Sequence, residues 1–98
     1  MSYLVFCVFD LKKANRDDHL YLYKDLAMLG LRKVVKAASG PDFTLPSTAV
    51  LGMLEGKSVD DVRSAVGKKV QEIFKLRGLS GDFFVVASAD WACAGESL

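Results

Sequence analysis

Two aspartates at the ends of apolar runs are the side chains best placed to do chemistry in this 98-residue chain. Asp10 follows the apolar run 3–9, and Asp82 opens the run 82–88. Carboxylate oxygens are the ligands that Mg²⁺ and Mn²⁺ prefer, and both ions assist phosphodiester hydrolysis. One carboxylate cannot hold such an ion alone, so Asp82 is a candidate to support a site centred on Asp10. The alternative is that Asp10 caps a turn, with its side chain accepting backbone N–H groups after the strand.

Hydroxyl, imidazole and thiol groups give weaker indications of a functional site than the two aspartates. Ser47 and Thr48 are candidates to bind a phosphate or orient a water beside Asp10, and the alternative is that they open a strand through hydrogen bonds to the backbone. No histidine or lysine adjoins Ser47 in the sequence, which argues against a serine nucleophile. His19 is either a general base or an ordinary helix residue. Because Cys7 and Cys93 form no C-x-x-C motif and His19 is the only histidine, we expect no zinc site. Two reduced thiols are expected in a cytosolic protein, and the alternative is a Cys7–Cys93 disulfide.

Basic side chains would be needed to neutralise a phosphate. Thirteen Lys and Arg residues against twelve Asp and Glu residues give a formal net charge of +1. This balance excludes a strongly basic packager of nucleic acid and leaves room for a local basic patch. Acidic residues interleave with the basic ones, so a solvated surface of mixed charge is the alternative. The candidates for nucleic-acid binding are Lys12, Lys13, Arg16, Lys75 and Arg77.

The elements that position these residues follow from apolar runs and helix-capping signals. Continuous apolar runs are typical of buried strands, and apolar residues at helical spacing indicate helices. One stretch with mixed alternation and several charges predicts an edge strand. The predicted order is βαββαβ, with strands at 3–9, 31–38, 47–54 and 82–88 and with helices at about 16–29 and between Ser58 and Gly78.

This order predicts a single ferredoxin-like α+β domain over residues 1–98. Because crossover connections are right-handed, we expect an antiparallel sheet with the predicted strands in spatial order 4-1-3-2 and both helices on one face. The end of the first strand then lies beside the starts of the third and fourth. Asp10, Ser47, Thr48 and Asp82 should therefore collect on one rim of the sheet, together with the five basic candidates.

The apolar strands also predict a partner. Tyr3 and Val5 lie on one face of the first strand and Leu4 and Phe6 on the other, so both faces are apolar. Because the helices cover only one face, we expect a second copy of the chain to cover the other, with the tail around Trp91 helping to seal it. No apolar stretch reaches the length of about 20 residues that spans a bilayer. The start lacks the features of a signal peptide, which predicts a cytoplasmic protein with no membrane partner.

A family resemblance adds to this interpretation. The opening segment Tyr3–Leu11, an apolar strand followed by an aspartate, resembles the opening of the small CRISPR-associated endonucleases of the adaptation complex and of the virulence-associated protein D relatives. The segments 45–50 and 90–95 resemble an uncharacterised branch of this superfamily, in which a Ser-Thr pair opens the third strand and a Trp-Ala motif follows the fourth. The likeness covers almost the whole chain. It implies a homodimer in which Asp10 is the catalytic ligand of Mg²⁺ or Mn²⁺, with no other cofactor.

The first helix departs from the pattern of the family. It carries Tyr21, Tyr23 and Lys24 in place of the arginines of many endonuclease members. Two functions are therefore predicted. The first is a dimeric nucleic-acid binder that hydrolyses phosphodiesters with a metal at Asp10. The alternative is a non-catalytic, ferredoxin-like dimeric interaction module of a toxin–antitoxin or mobile-element system.

Overall fold

Helices and strands alternate along the chain in an α+β arrangement. The computed structural model describes residues 1–35 and 41–95, so part of the predicted strand 31–38 lies outside the described residues. The elements are β1 (Ser2–Lys12), α1 (Arg16–Met28), β2 (Val34–Val35), β3 (Phe43–Thr44), β4 (Ala49–Glu55), α2 (Val59–Arg77) and β5 (Ser80–Ser88).

Both helices begin where the capping signals indicate, and α2 also ends at its predicted glycine. Before α1, the Asp18 N–H donates to the Asn15 side chain at 2.9 Å, and the Asn15 N–H donates to the Asp18 carboxylate at 3.1 Å. Ser58 caps α2 by accepting a backbone N–H of the first turn at 3.1 Å. Gly78 ends α2 with a φ of 64°, a left-handed conformation that glycine adopts readily. Within the described ranges, neither helix is both long enough and apolar enough to cross a membrane.

The sheet differs from the predicted four-stranded order 4-1-3-2. β1 is central and pairs antiparallel with β4 and β5, which gives a three-stranded sheet in the order β4-β1-β5. In the described part of the segment predicted as the second strand, the backbone pairing with β4 is an isolated bridge between Arg32 and Leu51. Beyond that bridge the Lys33 carbonyl accepts the Leu45 N–H at 2.7 Å, and β2 pairs with β3. Pairing across the short connection from β2 to β3 closes a small loop, so it competes well with pairing to the more distant β4.

The core lies between the helices and one face of the three-stranded sheet. Each helix contributes a ring contact to that face: the Phe9 and Tyr23 ring centroids are 5.7 Å apart, and those of Phe74 and Phe83 are 5.5 Å apart. Burial alternates along β1 with the two-residue period of a strand. Most of the buried core comes from β1 and the two helices: Tyr3, Val5, Cys7 and Phe9 of β1, Leu22 and Leu26 of α1, and Val62, Val66, Val70 and Phe74 of α2.

The opposite face of the sheet is apolar, and neither of the two helices in the described residues covers it. Phe84 is 64% exposed, Met53 49% and Val86 41%. The apolar residues of β1 on the same face are partly exposed; they are Leu4, Phe6 and Val8. The tail after β5 passes close to β3, since a Cβ on Gly95 would fall 2.6 Å from the ring of Phe43. The prediction that both faces of the sheet are apolar is therefore confirmed.

Candidate functional site

Asp10 and Asp82 are direct cross-strand partners. The register of β1 and β5 places them opposite each other, and both are exposed. Opposed residues in an antiparallel pair have Cβ atoms roughly 4.5–5.5 Å apart and point to the same side. The two carboxylates therefore share one end of the open face of the sheet. β1 continues past Asp10 to Lys12, so the prediction that Asp10 ends the strand is wrong.

Gly81 allows the two strands to approach at this point. Its φ is 154°, and a Cβ at this position would fall 2.1 Å from the carbonyl oxygen of Asp10. No side chain fits in that space, so glycine is required for the close approach of β5 to β1. Gly81 thereby supports the pairing that sets Asp82 opposite Asp10.

The two carboxylates are not engaged by their surroundings. Neither side chain accepts a hydrogen bond from any other residue that the structure describes. The turn-capping role considered for Asp10 is therefore not observed. Over residues 1–35 and 41–95, no group of three or more His, Cys, Asp or Glu side chains could hold a metal ion. The described part of one chain thus supplies two carboxylates at this place and no third side chain of these four types.

Thr48 is fixed beside this rim in a strained conformation. Its φ of 65° lies in the left-handed region that β-branched residues seldom adopt. The Thr48 N–H donates to the Tyr23 hydroxyl at 2.9 Å, and the Thr48 carbonyl accepts the Phe9 N–H at 3.0 Å. The Thr48 hydroxyl donates to the Ser47 carbonyl, which is the backbone-bonding alternative predicted for this pair. Thr48 therefore links α1 to the strand residue that precedes Asp10.

Three of the basic candidates follow Asp10 closely along the chain. Lys12 is the last residue of β1, Lys13 has a φ of 54° in the turn, and Arg16 begins α1. All three are exposed. They follow Asp10 closely in the sequence, and cations at these positions would attract a phosphate bound at the carboxylates.

The other two basic candidates belong to the last turn of α2. Lys75 is exposed, whereas Arg77 donates two hydrogen bonds to the Asp25 carboxylate, at 2.8 and 3.0 Å. Its guanidinium also lies 5.0 Å from the centroid of the Tyr21 ring. The hydrogen bonds to Asp25 raise the pKa of Arg77. The charge of Arg77 is therefore paired within the helix layer.

The histidine and the cysteines have ordinary surroundings. His19 Nδ1 lies 3.0 Å from the Asn15 carbonyl oxygen, and its ring centroid is 6.5 Å from that of Phe9. These contacts are those of a half-packed helix residue. Cys7 is buried and Cys93 is exposed, and both thiols are free. Burial raises the pKa of the Cys7 thiol to about 11, which makes it unreactive at neutral pH.

A second feature was not predicted from the sequence. A groove of about 1040 Å³ lies between α1 and the segment at 32–34. Its walls combine aromatic, aliphatic and basic side chains. A signal for it exists in α1, where Leu20, Tyr21 and Lys24 recur at helical spacing beside the buried Leu22 and Leu26.

Comparison with known proteins assigns the chain to no family. No protein-family model, no curated protein and no solved structure matches it. The resemblance to the CRISPR-associated adaptation endonucleases and to the virulence-associated protein D relatives stays a prediction from the sequence.

Proposed function

We propose that this chain is a cytoplasmic nucleic-acid-binding protein that holds Mg²⁺ or Mn²⁺ at Asp10 and Asp82 and hydrolyses phosphodiester bonds. The observation that supports this function is the direct cross-strand pairing of the two carboxylates on an exposed face. Like charges directly opposite each other destabilise a sheet. A pair that the fold holds open at this cost is well suited to a cation.

The chemistry of the pair fits a small divalent cation. Mg²⁺ usually takes one or two protein carboxylates and completes its shell with waters and substrate phosphates. Asp10 and Asp82 provide the two carboxylates, and no hydrogen bond from a described residue competes for their oxygens. When bound, such an ion would polarise a phosphoryl oxygen and acidify a water.

The surrounding residues have roles of their own in this proposal. Asp10 and Asp82 fix where the cation sits, because their strands are held in register over nine residue pairs. Lys12, Lys13 and Arg16 neutralise the phosphates on either side of the scissile bond, which makes binding dependent on salt and independent of sequence. Ser47 orients a water. Thr48 acts through its backbone, because its hydroxyl is already bound to the Ser47 carbonyl.

The proposal includes a homodimer of ferredoxin-like subunits. Phe84, Met53 and Val86 give the open sheet face the exposed apolar area that a second copy would cover. A two-fold axis near Asp10 would bring the carboxylates of both copies to one place, because each residue near such an axis meets its own copy. The missing additional ligands would then come from the second subunit.

Cleavage of defined substrates tests the catalytic part. Fluorophore-labelled single-stranded and double-stranded RNA and DNA are incubated with the purified chain and with Mg²⁺, Mn²⁺ or EDTA. Metal-dependent cleavage should be lost in Asp10→Ala and in Asp82→Ala and kept in Asp90→Ala, a matched change of an exposed aspartate just beyond β5. Equal cleavage by all four proteins would remove the catalytic claim.

One observation favours a second candidate function, a non-catalytic dimeric interaction module of a toxin–antitoxin or mobile-element system. The described residues of one chain supply only two carboxylates at the rim, while the apolar face is extensive. This function predicts a dimer without cleavage. Light scattering at micromolar concentration should give the mass of a dimer, and Phe84→Asp should give that of a monomer. A wild-type monomer would rule out both forms of the dimer proposal.

A further inference from the structure

The groove beside α1 is separate from the paired carboxylates. It is formed on the helix side of the sheet, whereas Asp10 and Asp82 lie on the open side. Its occupant therefore need not be the substrate of the proposed nuclease. The side chains that line its walls include Leu20, Tyr21, Lys24, Arg32, Lys33 and Val34.

The groove is held in shape by contacts at both walls. The Tyr23 hydroxyl accepts the Thr48 N–H at 2.9 Å, and the Lys33 ammonium lies 4.4 Å from the centroid of the Tyr23 ring. The first contact ties α1 to the residue that precedes β4, and the second connects α1 to the segment 32–34 across the groove. On the outer wall, the Arg77 guanidinium stacks on Tyr21 at 5.0 Å from the ring centroid. A ligand would therefore meet a formed surface and lose little free energy in ordering it.

The apolar part of the lining is exposed. Leu20 is 47% exposed, Tyr21 48% and Val34 43%, and Ala27 lies between them. Three exposed apolar side chains around one concavity are more than the isolated cases that a protein surface normally shows. This part of the groove fits apolar side chains of a partner.

The charged part of the lining favours a partner with negative charge. Lys24, Arg32 and Lys33 supply three positive charges, and Asp17 is the only acidic residue in the described lining. Together these four side chains give the described lining of the groove a net charge of +2. An acidic partner gains from this charge, whereas a basic partner is repelled.

Stacking geometry distinguishes a peptide from a nucleic acid. Single-stranded nucleic acid needs free aromatic faces for its bases. Tyr23 has Lys33 against its ring and Phe9 at 5.7 Å, and Tyr21 already stacks with Arg77. The aliphatic side chains of the groove suit apolar residues better than bases.

We propose that this groove binds an acidic peptide segment of a partner protein, with apolar side chains against Leu20 and Val34 and with carboxylates beside Lys24 and Arg32. The segment lies between α1 and the 32–34 strand as a short amphipathic element does in a hydrophobic groove. The proposal is independent of the proposed nuclease activity.

Defined probes test the binding. Three fluorescein-labelled peptides of equal length are titrated with the full chain: one of Glu and Leu, one in which Ser replaces Leu, and one in which Lys replaces Glu. A labelled oligothymidylate of similar length is the fourth probe. We expect the Glu/Leu peptide to bind at least about tenfold more tightly than the other two peptides and the oligothymidylate.

Two charge-reversal variants locate the site. Lys24→Glu with Arg32→Glu should weaken binding of the Glu/Leu peptide by about tenfold or more. Lys68→Glu with Lys69→Glu changes the net charge equally on an exposed part of α2 and should leave the affinity within about twofold. Lys24, Lys68 and Lys69 lie on helix surfaces, and Arg32 is exposed in the segment after α1. Thermal melts of both variants should show a folded protein.

Backbone amide NMR gives an independent readout. The Glu/Leu peptide should shift the signals of residues 17–34 in the groove and leave those of β5 in place. The proposal is overturned if the oligothymidylate binds more tightly than the peptide, if the groove variant keeps full affinity, or if no probe shifts the groove signals.

Discussion

Removing one of the two opposed carboxylates should change stability in opposite directions with and without a divalent cation. Asp10 and Asp82 are direct cross-strand partners, and a like-charge pair in that position costs roughly 0.2–1 kcal/mol. Asp82→Asn keeps the size of the side chain and removes one charge. In EDTA the variant should therefore be more stable by about that amount, which is about 1–8 °C in Tm for a domain of this size.

Mg²⁺ should reverse the order of the two proteins. At a free Mg²⁺ concentration about ten times the Kd, binding to the folded state alone adds about 1.4 kcal/mol, or about 6–11 °C, to the wild type. Asp82→Asn loses a ligand and should gain little. Wild type is thus the less stable protein in EDTA and the more stable one in Mg²⁺.

Differential scanning fluorimetry over a Mg²⁺ titration measures both effects. Asp90→Asn is the matched control, because it removes the charge of an exposed aspartate outside the β1–β5 pairing. It should follow the wild type at every Mg²⁺ concentration. An equal rise in the Tm of wild type and Asp82→Asn with Mg²⁺ would contradict cation binding by the pair, and the same change in EDTA for Asp90→Asn would contradict repulsion between Asp10 and Asp82.

Four further outcomes follow from particular contacts and from the burial of Cys7. Tyr23→Phe removes the acceptor of the Thr48 N–H and should lower the free energy of unfolding in urea by about 1 kcal/mol. Gly81→Ala places a Cβ against the Asp10 carbonyl and should lower the Tm strongly, whereas an unchanged Tm would contradict the close approach of β1 and β5. Iodoacetamide at neutral pH should label Cys93 alone, with Cys7 reacting only in denaturant. Because burial raises the pKa of Cys7 from 9.0 to about 11, the folded state favours the neutral thiol. Stability should therefore be unaffected by this group below pH 9 and should fall as the pH rises from 9 to 11, a loss that Cys7→Ala abolishes.

The sequence predicts the helices well because their signals are local. Asn15 with Asp18, and Ser58 with Gly78, mark helix ends through contacts within a few residues of chain. The apolar run of β1 likewise predicts a strand without knowledge of its partners. The prediction for the edge strand fails because Leu45 competes with β4 for the backbone of the same segment. Strand propensity does not tell which of two partners a segment will choose.

The candidate site is predicted in part for the same reason. Topology alone places Asp10 and Asp82 at one rim, but only the register shows that they are opposed, and a shift by one residue would separate their side chains. The binding of Arg77 to Asp25 joins residues 52 positions apart, so no local pattern indicates it. The groove is hidden for a similar reason, because its two walls come from α1 and from a segment whose position depends on tertiary pairing.

The central claim is that Asp10 and Asp82 together hold a divalent cation. Mn²⁺ is paramagnetic and broadens the NMR signals of nuclei near it, so a titration of the isotopically labelled chain locates the ion directly. We predict that substoichiometric Mn²⁺ broadens the amide signals around Asp10 in β1 and Asp82 in β5 first, that excess Mg²⁺ restores them, and that Asp10→Asn abolishes the effect. Broadening centred on another acidic region, such as Asp60 and Asp61 at the start of α2, or no selective broadening at all, would contradict the claim.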